Sequence, residues 1–198
     1  MTIKKLSLAI ALSLGAATVA NAAPGEDAGI ITFTGAVSSH TCEITTNNGL
    51  DNSNITIDMP VVSVDQVTAA TLTSGVGEKE FELKLSGCDE SITKATVSFS
   101  SEQFAELSSG TLKNDPALTD GAKNVNIALF NNIESNTGQV KIGLPDDAPQ
   151  TLTLDATTHS GTFAYKAAYV PSADMDATTN PVTAGKISTE TTFVVSYQ

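Results

Sequence analysis

The sequence has no tryptophan and no arginine, and only two cysteines and two histidines among its 198 residues. Two cysteines exclude a disulfide-dense scaffold, and a chain of this length does not need one, because it can bury roughly two thirds of its unfolded surface. Basic residues are few: ten, all lysine, stand against 22 acidic ones, for a net charge of -12. That sign excludes sequence-independent binding to nucleic-acid backbones and to anionic membrane surfaces. His40 and His159 lie in no ligand or catalytic motif, and the chain contains no H-E-x-x-H, no G-x-S-x-G and no Cys-His pairing. The acidic pairs Asp146-Asp147 and Asp174-x-Asp176 do not continue into a calcium loop with its terminal Glu, and Gly75 and Gly77 lack the context of a phosphate loop. We therefore expect no catalytic residues, no metal site, no cofactor and no enzymatic activity.

What the sequence does have begins with a leader. Lys4 and Lys5 precede an apolar stretch from Leu6 to Val19, and Ala20-Asn21-Ala22 forms a small-x-small cleavage site. The stretch is about 14 residues against the roughly 20 of a membrane span, so residues 1–22 read as a secretory signal peptide and the mature chain is expected to start at Ala23. Its removal takes the net charge from -12 to -14, since both leading lysines leave with it. No later segment is apolar enough to insert in a membrane. Export to an oxidising space gives Cys42 and Cys88 a meaning: neither sits in a C-x-x-C pair or beside a histidine, and a disulfide between them is the expected state.

Behind a polar arm, Ala23 to Ala28, the pattern turns to period two, with Gly29, Ile31, Phe33, Gly35 and Val37 on one face. Strand-like runs follow at Ile55 to Met59, Phe81 to Leu85, Ala95 to Phe99, Asn124 to Phe130, Val140 to Leu144, Thr151 to Leu154, Thr162 to Val170 and Thr191 to Tyr197. Turn-forming clusters such as Asn114-Asp115-Pro116 and Pro145-Asp146-Asp147 separate them, and one helical turn is expected around Glu102 to Leu107. Many short strands without a sustained helical period predict an all-β antiparallel sandwich in one domain, with no internal repeat. The last run places Phe193, Val195 and Tyr197 on one face directly before Gln198. An alternating apolar edge at that position is either paired within the chain or meant for another molecule.

In this setting the sequence resembles a pilin subunit of the chaperone-usher pathway, similar to the major subunits of type 1 fimbriae. The resemblance rests on four segments: G-I-I-T-F-T-G-A-V ending five residues before Cys42; Cys42 with Cys88 in L-S-G-C-D; I-D-M-P-V-V-S-V-D-Q-V at Ile57 to Val67; and the ending F-V-V-S-Y-Q. It implies an incomplete immunoglobulin-like sandwich lacking its last strand, completed by a donor strand from the next subunit. Residues 23–37 would be the N-terminal extension and 38–198 the pilin domain. Gly29, Ile31, Phe33, Gly35 and Val37 would enter a neighbour's groove. Phe193, Val195, Tyr197 and Gln198 would line this subunit's own groove and bind the periplasmic chaperone, with the Gln198 carboxylate held by the chaperone's basic residues. The implied partners are further copies in a homo-polymer, the chaperone and the outer-membrane usher, and the implied destination is the extracellular fimbrium. The implied role is structural, in support of adhesion. A minor or adaptor pilin and a tip adhesin are the alternatives within the family. An autonomous secreted immunoglobulin-like module is the alternative outside it, and would need a strand after Tyr197.

Overall fold

The structure is a computed structural model and describes residues 42–46 and 55–198. The leader, the arm with Gly29, Ile31, Phe33, Gly35 and Val37, and His40 lie outside the described residues.

Among the described residues ten strands and one short helix follow in chain order: β1 (Glu43–Thr46), α1 (Val64–Ala69), β2 (Val76–Ser86), β3 (Lys94–Ser100), β4 (Ala105–Glu106), β5 (Thr111–Lys113), β6 (Val125–Asn131), β7 (Gln139–Val140), β8 (Thr151–Thr153), β9 (Gly161–Pro171) and β10 (Thr192–Tyr197). They form two antiparallel sheets. The larger runs β1-β2-β9-β6-β5-β4 with β7 also on β6, and the smaller runs β10-β3-β8.

Alternation explains which strands form which face. On β2, Phe81, Leu83 and Leu85 are buried while Glu80 and Lys84 are exposed; on β3, Ala95, Val97 and Phe99 are buried while Lys94 and Ser98 are exposed. The two inner faces meet through Tyr165 of β9, whose ring stacks on Phe81 at 5.5 Å and meets Phe99 edge-on at 5.0 Å. β6 is buried along its whole length, and its other face forms a small second cluster of Ala128 and Phe130 with Ala168 and Val170.

Four local features depart from the sequence reading. Ile55 to Met59 alternates as expected, with Ile55, Ile57 and Met59 half-buried, but residues 55–63 pair with no strand among the described residues. Val64–Ala69 is helical, opened by a capping box in which Gln66 N–H donates to Ser63 Oγ (3.3 Å) and Ser63 N–H to Gln66 Oε1 (2.9 Å). At Glu102–Leu107 a turn leads into β4 in place of a helical turn. Past Val140 the expected strand gives way to a turn, closed by the Leu144 N–H donating to the Lys141 carbonyl, with Gly143 at φ 74°.

The disulfide forms as expected: Cys42 and Cys88 are joined at 2.04 Å and both are buried. It ties the residue before β1 to the end of β2. Cys88 N–H also donates to the carbonyl of His159 (3.2 Å), a residue with φ 46°, so this histidine serves a turn.

Candidate functional site

Among the described residues β10 has a neighbour on one side only. Its register on β3 runs from Thr192 opposite Ser100 to Tyr197 opposite Ala95. One step further, Gln198 and Lys94 exchange both backbone hydrogen bonds, at 2.8 and 2.9 Å. In an antiparallel pair such positions alternate with ones whose backbone groups point the other way. The N–H and C=O groups of Phe193, Val195 and Tyr197 are therefore directed away from β3, and among the described residues no strand lies on that side. The same three side chains are half-buried against the main core, while Thr192, Val194 and Ser196 are exposed. One edge thus carries both free main-chain groups and an apolar face.

The strand is nevertheless fixed at both ends. At its start Thr191 Oγ1 and Thr192 Oγ1 each donate to the Ser100 carbonyl at 2.9 Å, and Ser101 Oγ donates to the Glu190 carbonyl at 2.9 Å. At its end the Gln198 carbonyl oxygen accepts from Thr93 N–H (2.8 Å) and Lys94 N–H. The free edge is held ready in an extended conformation.

Beside the start of β10 opens a cleft of about 1590 Å³. Its floor is the inner face of the larger sheet, including Phe81, Leu83, Ile127, Leu129 and Tyr169; one wall is the unpaired stretch 55–64 and the other is 182–193. Phe193 lines it, whereas Val195 and Tyr197 lie outside its lining. Burial pushes the phenol pKa of Tyr169 and Tyr197 above the ordinary value. Val61, on the first wall, is fully exposed at 101%. Among the described residues no strand pairs with the first wall of this apolar cleft.

Residues that the sequence reading did not single out hold the second wall in place. Asn114 donates to the Ala122 and Lys186 carbonyls (2.9 Å each) and accepts from Ser188 N–H (2.8 Å), fastening 186–188 to the loop before β6. Lys186 bridges to Asp120 at 2.8 Å. At Gly185 a Cβ would stand 2.3 Å from the Ala122 nitrogen, so only glycine permits this approach. No periodic signal marks Asn114, although its place in Asn114-Asp115-Pro116 marks the turn.

Single aspartates serve turns as well. Asp155 Oδ1 accepts from Thr157 N–H (2.9 Å), Thr158 N–H (2.7 Å) and Thr158 Oγ1 (3.0 Å). Asp176 Oδ1 does the same with Thr178 N–H (2.9 Å), Thr179 N–H (2.7 Å) and Thr179 Oγ1 (2.9 Å). Both belong to a repeated D-A-T-T segment, a short internal repeat where none was expected, with one copy before β9 and the other after it. Asp146 pairs with Lys141. Among the described residues no three side chains of metal-ligating type gather.

Comparison with known proteins agrees with this architecture. The chain is 28% identical over 174 residues to the F17 fimbrial protein of Escherichia coli, covering 86% of this chain and 87% of that one. Its fold is similar to that of the P pilus rod subunit PapA, with a TM-score of 0.52 and 19% identity over 85% of this chain and all of that one. It is also similar to a Burkholderia pseudomallei antigen and type I fimbria protein, with a TM-score of 0.49 and 22% identity over 81% of this chain and 91% of that one. The likeness to the P pilus rod subunit shows the fold, an all-β immunoglobulin-like one. The family model described as fimbrial protein matches residues 31–198, and the chain belongs to that family.

Proposed function

We propose that this chain is a fimbrial building block that polymerises by donor-strand exchange. The observation that carries this reading is the edge of β10, where the unpaired main-chain groups and the half-buried side chains of Phe193, Val195 and Tyr197 coincide. A strand added there gains hydrogen bonds from the backbone and burial from alternate side chains. The occupant in the fibre is residues 29–37 of a second copy, with Gly29, Ile31, Phe33, Gly35 and Val37 facing the core. Burying Ile31, Phe33 and Val37 at about 1.5 to 3 kcal/mol each contributes roughly 5 to 9 kcal/mol before the ladder is counted. Gly35 supplies a shallow point on the entering strand. Such an interface is head to tail and does not close, so it propagates.

The rest of the assignment follows from the same reading. Residues 1–22 direct export and are removed, 23–37 form the donor extension and 38–198 the pilin domain. Before assembly a periplasmic chaperone occupies the edge and holds Gln198 by its carboxylate, and an outer-membrane usher exchanges it for the next copy. The product is a structural, non-enzymatic protein of the surface fimbrium that supports adhesion. Among the described residues no helix is long and apolar enough to cross a membrane.

The test is electron microscopy of cells expressing the chain with its chaperone and usher. Fibres are expected with the intact gene and absent after deletion of residues 29–37. Fibres of normal length from the deleted chain would contradict the mechanism.

A further inference from the structure

The stretch before β10 continues its alternation. Ile187, Thr189 and Thr191 are half-buried and line the cleft, as Phe193 does, while Ser188 and Glu190 between them are exposed. The main chain alternates with the same parity. Lys186 N–H donates to the Asp120 carbonyl (2.8 Å), and the Lys186 carbonyl accepts from Ala122 N–H (2.9 Å). Asp115 N–H donates to the Ser188 carbonyl (2.8 Å), and Ser101 Oγ to that of Glu190 (2.9 Å). On β10 the backbone groups of the even-numbered residues face β3 in the same way. The N–H and C=O groups of Ile187, Thr189 and Thr191 make no hydrogen bond among the described residues. From Ile187 to Tyr197, therefore, one side of the chain is held and the other is free.

β3 ends at Ser100, opposite Thr192, and does not reach the first part of this edge. Asn114 takes its place. Its Oδ1 accepts from Ser188 N–H (2.8 Å) and its Nδ2 donates to the Lys186 carbonyl (2.9 Å), so one side-chain amide fills the positions of a neighbouring strand's C=O and N–H. A second bond from Nδ2 to the Ala122 carbonyl (2.9 Å) fixes that amide to the loop before β6. Across the cleft, residues 55–62 make no hydrogen bond among the described residues, so the fixed side is the one that Asn114 holds.

We propose that Asn114 is a positioning residue for strand entry: it holds 187–191 in line with β10 and so lengthens the receiving edge from six residues to the eleven of 187–197. The inference rests on the polymerisation reading above, which names 29–37 as the occupant. At about 3.3 Å per residue those nine residues span about 30 Å, β10 alone about 20 Å and 187–197 about 36 Å. β10 alone leaves about a third of the entering strand without a ladder, whereas the longer edge meets all of it. A wall already held in the receiving conformation also removes the cost of ordering it when the strand arrives.

The experiment titrates fluorescently labelled peptides of residues 29–37, 29–34 and 32–37 into dilute mature chain, residues 23–198, as wild type, Asn114→Ala and Gly185→Ala. The last acts on the same wall, through a Cβ that would stand 2.3 Å from the Ala122 nitrogen. Wild type is expected to bind the nine-residue peptide about tenfold more tightly than either six-residue one, the worth of one or two net backbone hydrogen bonds. Each variant is expected to bind the nine-residue peptide about tenfold more weakly, and the tighter six-residue peptide as wild type does, because β10 keeps its partner in β3. Either variant keeping the length advantage would overturn the assignment. Equal loss of all three peptides by both variants, as a residue needed only for folding would give, would also overturn it, as would a wild type that binds long and short peptides alike. If Asn114→Ala alone loses all three, Gly185→Ala decides by the same criterion. Wild type that binds none of the peptides would instead overturn the polymerisation reading, and this inference with it.

Discussion

Phe193 of β10 stands directly opposite Phe99 of β3, yet Phe99 is 7% exposed while Phe193 is only half-buried. Both side chains face the same core. Phe99 packs edge-on against the Tyr165 ring at 5.0 Å, whereas Phe193 lines the cleft and, among the described residues, its strand has a neighbour on one side alone. What separates them is the covering that each ring receives. Phe193→Ala is expected to cost the isolated subunit roughly 1 to 2 kcal/mol, below the ~3 to 5 of a fully buried phenylalanine. Its effect on fibre yield is expected to be larger, since the edge would lose part of its apolar face. Denaturant titration of the subunit and fibre yield measured together separate the two; Val194→Ala, on the outer face, is expected to leave the yield of single fibres unchanged.

The disulfide gives the second prediction. Closing the 46-residue separation between Cys42 and Cys88 restricts the unfolded chain by about 4 kcal/mol on the loop-entropy model. Cys88→Ser is expected to lower the denaturation midpoint and the periplasmic yield, and addition of reductant to the wild type should reproduce the loss. Equal midpoints with and without reductant would contradict it.

A third prediction concerns acid. Backbone and side-chain hydrogen bonds from Thr158 and Thr157 hold the Asp155 carboxyl below the ordinary carboxylate value, and those from Thr179 and Thr178 do the same for Asp176. A carboxyl depressed in the folded state contributes stability that is present above its unfolded pKa, near 4, and is lost as pH falls through the folded value. Asp155→Ala and Asp176→Ala are each expected to lower the melting temperature at pH 7, and the deficit should shrink below about pH 3. Melting curves at the two pH values check this. A deficit that does not change with pH would contradict it.

The fourth prediction is a gain. Tyr165 is 1% exposed, its hydroxyl has no hydrogen-bond partner among the described residues, and burial, then the charge of Asp147, push its pKa up. A buried polar group without a partner costs about 1 to 3 kcal/mol. Tyr165→Phe keeps the ring against Phe81 and Phe99 and is expected to raise stability by up to about 1 kcal/mol. Denaturant titration reads the sign directly.

Periodicity made most of this legible. The runs Phe81 to Leu85, Ala95 to Phe99, Thr162 to Val170 and Thr191 to Tyr197 lie on β2, β3, β9 and β10, because alternation reports which side chains face a core. Alternation is silent about hydrogen-bond partners, which is why Ile55 to Met59 reads as a strand and yet pairs with none among the described residues. The helix at Val64–Ala69 is too short for a helical period, although its Ser63-x-x-Gln66 capping box is written in the chain. Of the site, the β10 face was readable as Phe193, Val195 and Tyr197. The wall held by Asn114 and Gly185 was not, because it is built from contacts between residues about 70 apart.

The central claim is that the sandwich is one strand short, and a strand supplied in cis tests it most directly. Residues 23–37 are removed and a copy of 29–37 is attached behind Gln198 through a flexible linker. The product is expected to be a soluble monomer that neither polymerises nor needs a chaperone, with a thermal midpoint far above that of the arm-deleted chain alone. A bulky substitution at the copy of Gly35 should remove about 1 to 3 kcal/mol of that gain by overpacking. An arm-deleted chain that is equally stable and monomeric without the graft would mean that the edge of β10 needs no partner, and would contradict the account.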